Sequence, residues 1–448
     1  MPPEPSTSQP KEGWLSLLHD APQKNQVHFW GKHPAQLITQ SPIDPANFTV
    51  GNGADIYDSK ILPLLQTAQR EITFVTCFWA RSICLTKLGQ CLVALSERGK
   101  SRPDGALKLR VRICLSSRSL LQKLSHTSSP NGYVYKTHEW ASKLGLPAPE
   151  ALSGLDLQIK SLFFLPFSVM HPKFVIVDRQ YALLPSCNLS YESWFEGCLH
   201  LTGPIVAQLL LFWQETWGRN DLPPLPLDAF PIQASPTEAS SPTHTTMLLP
   251  SPHHRSPHFR PFLATPEPPR TPLNIYLAHL VSNAKSSIRI LTPNLTCQYV
   301  ISLLLNALAR GVDVKIITNR CMMVLEQLLT AGTVTELCVC SLRRRWRKLV
   351  ASVQTAGNGN DRERGHPAPR IGCLSIGYFR PGGKYAKSHL KCTILDNETV
   401  VLGSGNMDRA SWYTSQELGV AIEGGDVVRE IWRRVEGEWN GKGGVEWV

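Results

Sequence analysis

The 448 residues contain no apolar run of about 18, so no transmembrane helix is indicated. The longest apolar stretch, around Ile205–Trp213, reads as a buried helix. The opening residues, MPPEPSTSQPKEGW, lack a basic segment leading into an apolar core, so no secretory signal is read there. HExxH, CxxC and dense carboxylate clusters are all missing, and neither a metal nor a cofactor is called for. Cysteine is present twelve times but scattered, and Cys77, Cys114, Cys373 and Cys392 sit inside apolar strand-like runs as small hydrophobes. That argues against a disulfide framework and for a reducing, cytoplasmic compartment. Acidic residues are few beside basic ones, 35 against 46, leaving a net charge of +11. An anionic partner is favoured, either a phospholipid surface bound peripherally or nucleic acid. The densest basic run, Arg343-Arg344-Arg345-Trp346-Arg347-Lys348, does not choose between them.

What the chain does have is one sparse pattern written twice, H-x-K-x4-D-x7-S-x-N-x4-S-W. The first copy is His171, Lys173, Asp178, Ser186, Asn188, Ser193 and Trp194. The second is His389, Lys391, Asp396, Ser404, Asn406, Ser411 and Trp412, at identical spacing. HPKFVIVD and HLKCTILD read as strands, so His and Lys share a face in each while Asp178 and Asp396 fall on the other. The aspartates are therefore given a supporting role, and Trp194 and Trp412 are read as packing anchors. If the following runs, YALLPSCN and TVVLGSGN, fold back as hairpins, Ser and Asn return to the end of the sheet that holds His and Lys. Lysine binds phosphate as a point charge, and Ser and Asn donate to phosphoryl oxygens. A pair of histidines suits phosphoryl transfer, one attacking phosphorus and the other protonating the leaving oxygen.

These residues resemble the duplicated HKD motif of the phospholipase D superfamily. The resemblance implies two similar α/β halves sharing one active site on a pseudo-two-fold axis, with His171 as nucleophile and His389 as general acid. It also implies a downstream carboxylate orienting each histidine, for which Glu196 and Glu417 are the matching candidates. Lys173, Lys391, Ser186, Asn188, Ser404 and Asn406 are the expected phosphate contacts. The first copy departs from the family pattern by carrying Pro185 and Cys187 where glycine is usual.

The duplication extends beyond the motif. AQREITFVT (68–76) aligns with AKSSIRILT (284–292), and a strand–helix–strand alternation follows each, which predicts an α/β fold with largely parallel sheets. Thr271-Pro272 reads as the cap and first residue of a helix. The expected organisation is a partly ordered tail at 1–48, a first half at 49–219, a Pro/Ser-rich linker at 220–270, a second half at 271–440 and a tail at 441–448. Within the second half, 354–369 reads as a flexible insert.

The composite expectation is a metal-independent phosphodiesterase or phosphatidyltransferase of the phospholipase D type acting on phospholipids, in the manner of the cardiolipin-synthase-like arm. Two alternatives stand beside it: an endonuclease cutting DNA or RNA through the same histidines, and a non-catalytic binder of phospholipid surfaces.

Overall fold

The computed structural model describes residues 9–19, 34–101, 103, 107–119, 122, 132–164, 168–218, 242–251, 267–357, 370–380, 385–440 and 444–448. In the first half, strands Glu71–Phe78, Leu109–Ser117 and Leu155–Ser161 run parallel, with helix Ile83–Lys100 crossing between the first two. Antiparallel strands Phe174–Val177, Tyr181–Pro185 and Trp194–Thr202 extend the sheet on the other side of Glu71–Phe78. The second half repeats this order with Ser287–Leu291, Asp313–Thr318 and Leu374–Phe379, then Cys392–Leu395, Thr399–Gly403 and Glu417–Glu423. The expected α/β duplication is the architecture observed, but the sheets are mixed instead of largely parallel: most pairings among the described residues are antiparallel, because the motif hairpins and the strand after each fill one side of each sheet. Thr271 caps helix Pro272–Asn283 as the sequence predicts, its hydroxyl accepting from Asn274 N.

Both motif runs form hairpins, and the motif aspartates make their turns. Asp178 and Arg179 have φ of 51° and 61°, and Asp396 and Asn397 have 52° and 58°. Two successive left-handed residues form a tight reverse turn, a conformation Asp and Asn tolerate better than most residues. Each carboxylate then accepts three backbone amides from the segment entering the first parallel strand. Asp178 takes those of Gln69, Arg70 and Glu71, and Asp396 those of Lys285, Ser286 and Ser287. The donors occupy matching positions of AQRE and AKSS, so the two parts of the repeat are physically coupled. Burial alone would raise the Asp396 carboxyl, but these amides hold it below its ordinary value.

Three segments differ from the sequence reading. Thr243–Ser251, inside the expected linker, is a strand pairing with Glu417–Glu423 on one side and Ile38–Pro42 on the other. Met247, Leu248 and Leu249 are fully buried, so this strand covers a sheet edge that would otherwise expose unpaired backbone. Its Pro- and Ser-rich surroundings mask a short run of apolar residues, THTTMLLPS. The rest of the expected linker, apart from 242–251 and 267–270, lies outside the described residues, as do 358–369 of the expected insert; 354–357 close helix Thr335–Gly357. The N-terminal segment supplies Trp14, buried against Tyr276 and donating to Pro272 O, so it packs on the second half. At the other end, Val445–Trp447 pairs with Leu374–Phe379 instead of trailing off. Cys373 lies exposed just ahead of that strand, against expectation, while Cys77, Cys114 and Cys392 are buried.

The halves meet through backbone as well as side chains. Lys387–Ser388 of the second half runs parallel to Trp194–Phe195 of the first, and Met170 bridges to Gln416. Phe195 is fully buried between Phe379 and Tyr385, and one apolar core runs continuously through both halves.

A dissection experiment follows from the linker strand. Co-expressed fragments 1–220 and 242–448 retain every pairing above and should co-purify through a tag on either one. Fragments 1–220 and 271–448 lack the strand that covers Glu417–Glu423, and recovery of soluble complex should fall sharply. Equal recovery from the two pairings would mean that Thr243–Ser251 is dispensable.

Candidate active site

Each motif histidine sits just ahead of its hairpin, where its backbone meets the other half. His171 N donates to Gln416 O at 2.9 Å, and His389 N donates to Phe195 O at 2.8 Å. Both Gln416 and Phe195 immediately precede a candidate glutamate. The side chains therefore pair across the interface: His171 Nδ1 lies 2.9 Å from Glu417 Oε2, and His389 Nδ1 lies 2.9 Å from Glu196 Oε1. The two glutamates expected from the sequence are at the histidines, and each serves the histidine of the opposite half.

Both lysines are almost completely buried and turn back on their own histidine. Lys173 Nζ donates to His171 O at 2.9 Å and Lys391 Nζ to His389 O at 2.7 Å, consistent with residues two apart sharing a face. Burial and the neighbouring Lys173 charge pull Lys391 down to about 7, against the attraction of both glutamates.

The serines are placed otherwise than expected. Ser186 donates to Glu196 and accepts from Gly197 N; Ser404 donates to Glu417 and accepts from Leu418 N. Their hydroxyl protons are thus committed to the glutamates and are not available to a phosphate in this arrangement. The asparagines differ between halves. Asn188 uses its side-chain oxygen to accept Phe78 N at 3.2 Å. Asn406 donates through Nδ2 to Asp408 at 2.9 Å, which commits one of its N–H groups inside the protein. Ser190 occupies the position in the first copy that Asp408 holds in the second, so this acid breaks the symmetry. Burial raises the Asp408 carboxyl, and the Glu417 charge adds to that, while His171 opposes it. The sequence pattern missed Asp408 because it is not duplicated.

The tryptophans are near the site as expected. Trp194 lies with its ring centroid 5.0 Å from that of His389, and Trp412 is buried, its carbonyl accepting from Asn274. Among the described residues no group of three or more His, Cys, Asp or Glu side chains is arranged to hold a metal ion. No helix among them is long and apolar enough to cross a membrane.

Burial lowers both imidazoles despite their carboxylate partners, His389 to about 4 and His171 below its ordinary value. Burial alone would raise Glu196 and Glu417, but the facing histidine and the serine hold each below its ordinary value. At neutral pH the glutamates are ionised and the rings neutral. An ionised carboxylate accepts, so the proton of each ring is on Nδ1 and the Nε2 lone pairs are unprotonated. The lysines' positive charges also push both rings down: His171 responds to Lys173 and Lys391, and so does His389. The two motifs thus occupy one electrostatic site.

The family described as "Cardiolipin synthase, PLD-like domain" matches residues 277–439. No curated protein matches the sequence. Among solved structures, phosphatidylserine synthase from Haemophilus influenzae Rd KW20 is similar over 96% of this chain and 90% of its own, at 13% identity and a TM-score of 0.59. Polyphosphate kinase from Porphyromonas gingivalis is similar over 86% of this chain and 49% of its own, at 14% identity and a TM-score of 0.46. The phospholipase D family member Nuc from Salmonella typhimurium is similar over 45% of this chain and 97% of its own, at 17% identity and a TM-score of 0.28. Residues 277–439 thus match a phospholipase D-like domain family, and the two-half fold is similar to that of the phosphatidylserine synthase structure.

Two neutral histidines beside two buried lysines would couple the binding of an anion to proton uptake. A bound dianion offsets the lysine charges and draws one imidazole upward, from well below neutrality to above it. Binding sulfate, which stays a dianion in this range, should therefore take up a proton near pH 7. Calorimetry in buffers of different ionisation enthalpy reads that uptake; because Lys391, at about 7, also gains protonation beside an anion, His389→Ala should reduce the uptake to the lysine's share. Sulfate binding with no uptake between pH 6.5 and 7.5 would show that both rings hold their protonation state.

Proposed function

We propose that this site is a phosphodiesterase or phosphatidyltransferase acting on phospholipids through a phosphohistidine intermediate. The observation that carries the reading is the crossed pair of histidine–glutamate contacts, which leaves one Nε2 from each half unprotonated beside two buried lysines. In the proposed first step His171 Nε2 attacks phosphorus and the P–O bond to the leaving alcohol breaks. His389, protonated when the anionic substrate binds, transfers its Nε2 proton to that oxygen. In the second step His389 takes a proton from water or a second alcohol as its oxygen attacks phosphorus. The P–N bond then breaks and His171 is restored.

Lys173 and Lys391 neutralise the charge that grows on the equatorial oxygens, and their burial strengthens that interaction. Asn188 and Asn406 are the further candidates for amide contacts to the phosphoryl group. Glu417 and Glu196 fix the tautomer of the two rings and stabilise the imidazolium when it forms. Because lysine and amide groups supply the stabilisation, the reaction is proposed to need no metal. A cardiolipin-synthase-like family match in the second half supports the phospholipid assignment.

The discriminating assay supplies purified protein, in EDTA, with phospholipid vesicles, plasmid DNA or RNA, each with and without an alcohol acceptor. Release of headgroup alcohol, or its exchange for the acceptor, is the expected result. Cleavage confined to nucleic acid, or activity that requires an added divalent ion, would replace this reading.

Division of labour is tested with bis(p-nitrophenyl) phosphate, whose leaving group needs no proton. His389→Ala and Glu196→Gln should lose about 10²-fold or more on phospholipid, the ordinary contribution of a general acid, and recover much of it in the p-nitrophenolate burst on the activated diester, the step that needs no proton donor. His171→Ala and Glu417→Gln should stay impaired on both, and His171→Ala should trap no phosphoenzyme. The reverse pattern would make His389 the nucleophile.

A further inference from the structure

Beside His389 the protein builds one helix inside out. Strand Asp313–Thr318 ends at Asn319, which is clamped to the residue before His389: its Nδ2 donates to Ser388 O and its Oδ1 accepts Ser388 N, both at 2.8 Å. Lys387 Nζ donates to Arg320 O, tying the next residue to the same segment. Cys321 and Met323 then take left-handed φ of 51° and 50°, a strained path for non-glycine residues, and the chain enters helix Val324–Ala331.

The buried residues of that helix are Gln327, Thr330 and Ala331, whereas Leu325 is 70% exposed and Leu328 and Leu329 are 43% and 45% exposed. Hydrogen bonds hold the helix where apolar packing normally would. Gln327 donates to Asn294 Oδ1 and Met322 O, and accepts from both Thr335 N and Thr335 Oγ1. The next helix, Thr335–Gly357, opens with Leu337, 62% exposed, and continues into the basic run. Trp346 is half-buried on the core and donates to Gly372 O at 3.0 Å, so the aromatic of that run is an anchor and Arg344, Arg345, Arg347 and Lys348 face outward.

We propose that this helix pair is the surface by which the protein docks on an anionic phospholipid bilayer. Leu325, Leu328, Leu329 and Leu337 enter the boundary between headgroups and acyl chains, and the arginines of the second helix meet lipid phosphates. The occupant follows from charge and position. Exposed leucines flanked by outward cations match an apolar layer beneath an anionic one, in a chain of net charge +11. The surface also begins at the segment clamped to His389, so a docked bilayer lies against the rim of the site. This inference rests on the phospholipid reading above.

The test sediments full-length protein with vesicles of phosphatidylcholine alone or of phosphatidylcholine with phosphatidylglycerol. Attachment should require the anionic lipid and weaken with salt. Leu325→Ser with Leu329→Ser should reduce partitioning by about tenfold per leucine. Arg344→Gln with Arg347→Gln should reduce it by about fivefold per arginine. Because these side chains are exposed, thermal midpoints and turnover of bis(p-nitrophenyl) phosphate should stay at the native level. Native attachment by both variants, or no attachment of the native protein to anionic vesicles, would overturn the proposal. So would a concentration-dependent dimer that the leucine variant abolishes while vesicle attachment persists. Attachment without phospholipid turnover would support the docking surface and count against the proposed substrate; turnover of a dispersed short-chain phospholipid without attachment would do the opposite.

Discussion

Everything at this site depends on the exchange of carboxylates between halves. His171 is held by Glu417 and His389 by Glu196, so neither half contains a complete histidine–carboxylate pair. Docking of the two sheets is therefore a condition of the site's existence as well as of the fold's stability. The backbone bonds from His171 N to Gln416 O and from His389 N to Phe195 O set the register of that exchange. A slip at this interface would displace both imidazoles from their acceptors together.

The exchange also explains how two carboxylates and two lysines survive burial. An unpaired charge in such a place would be neutralised or would destabilise the fold by several kcal/mol. Here each carboxylate accepts from an imidazole and a serine, and each serine accepts the amide of the residue after the glutamate. Each lysine has its own histidine's carbonyl as acceptor. Lys391, drawn down to about 7, is the group whose charge is least satisfied. In the proposed reaction the phosphate of the substrate would oppose that shift and restore the lysine's charge.

Much of this was legible in the repeat. Equal spacing from His171 to Trp194 and from His389 to Trp412 implied two equivalent hairpins, and period-2 alternation put each lysine with its histidine and each aspartate on the far side. The partners were harder to read. Glu196 and Glu417 lie downstream of a histidine in their own half, and only the docked arrangement reveals that each belongs to the other half's ring. The serines looked like phosphate contacts because their type permits it; the hydroxyl's commitment to a glutamate ten or thirteen residues away depends on hairpin geometry. Thr243–Ser251 was hidden because nine strand residues lie within a Pro- and Ser-rich tract whose average composition resists ordering. Trp346 is the one aromatic of the basic run, and its indole is spent on holding the helix to Gly372.

A symmetric scaffold has been given asymmetric surroundings, and that bears on how two equivalent histidines could take different parts. The second copy carries Asp408 near His171 and Glu417, where the first has only Ser190. It also inserts three residues between Trp412 and Glu417 relative to the stretch from Trp194 to Glu196. His171 is the more open ring, at 13% side-chain exposure against 6% for His389, and His389 is the one packed beneath Trp194. In the proposed mechanism the more open ring suits attack on phosphorus, while apolar and aromatic enclosure disfavours the protonated form of His389, so a proton held there is readily given to the leaving oxygen. Duplication supplied the matched framework, and these unduplicated residues are where a nucleophile and an acid would be told apart.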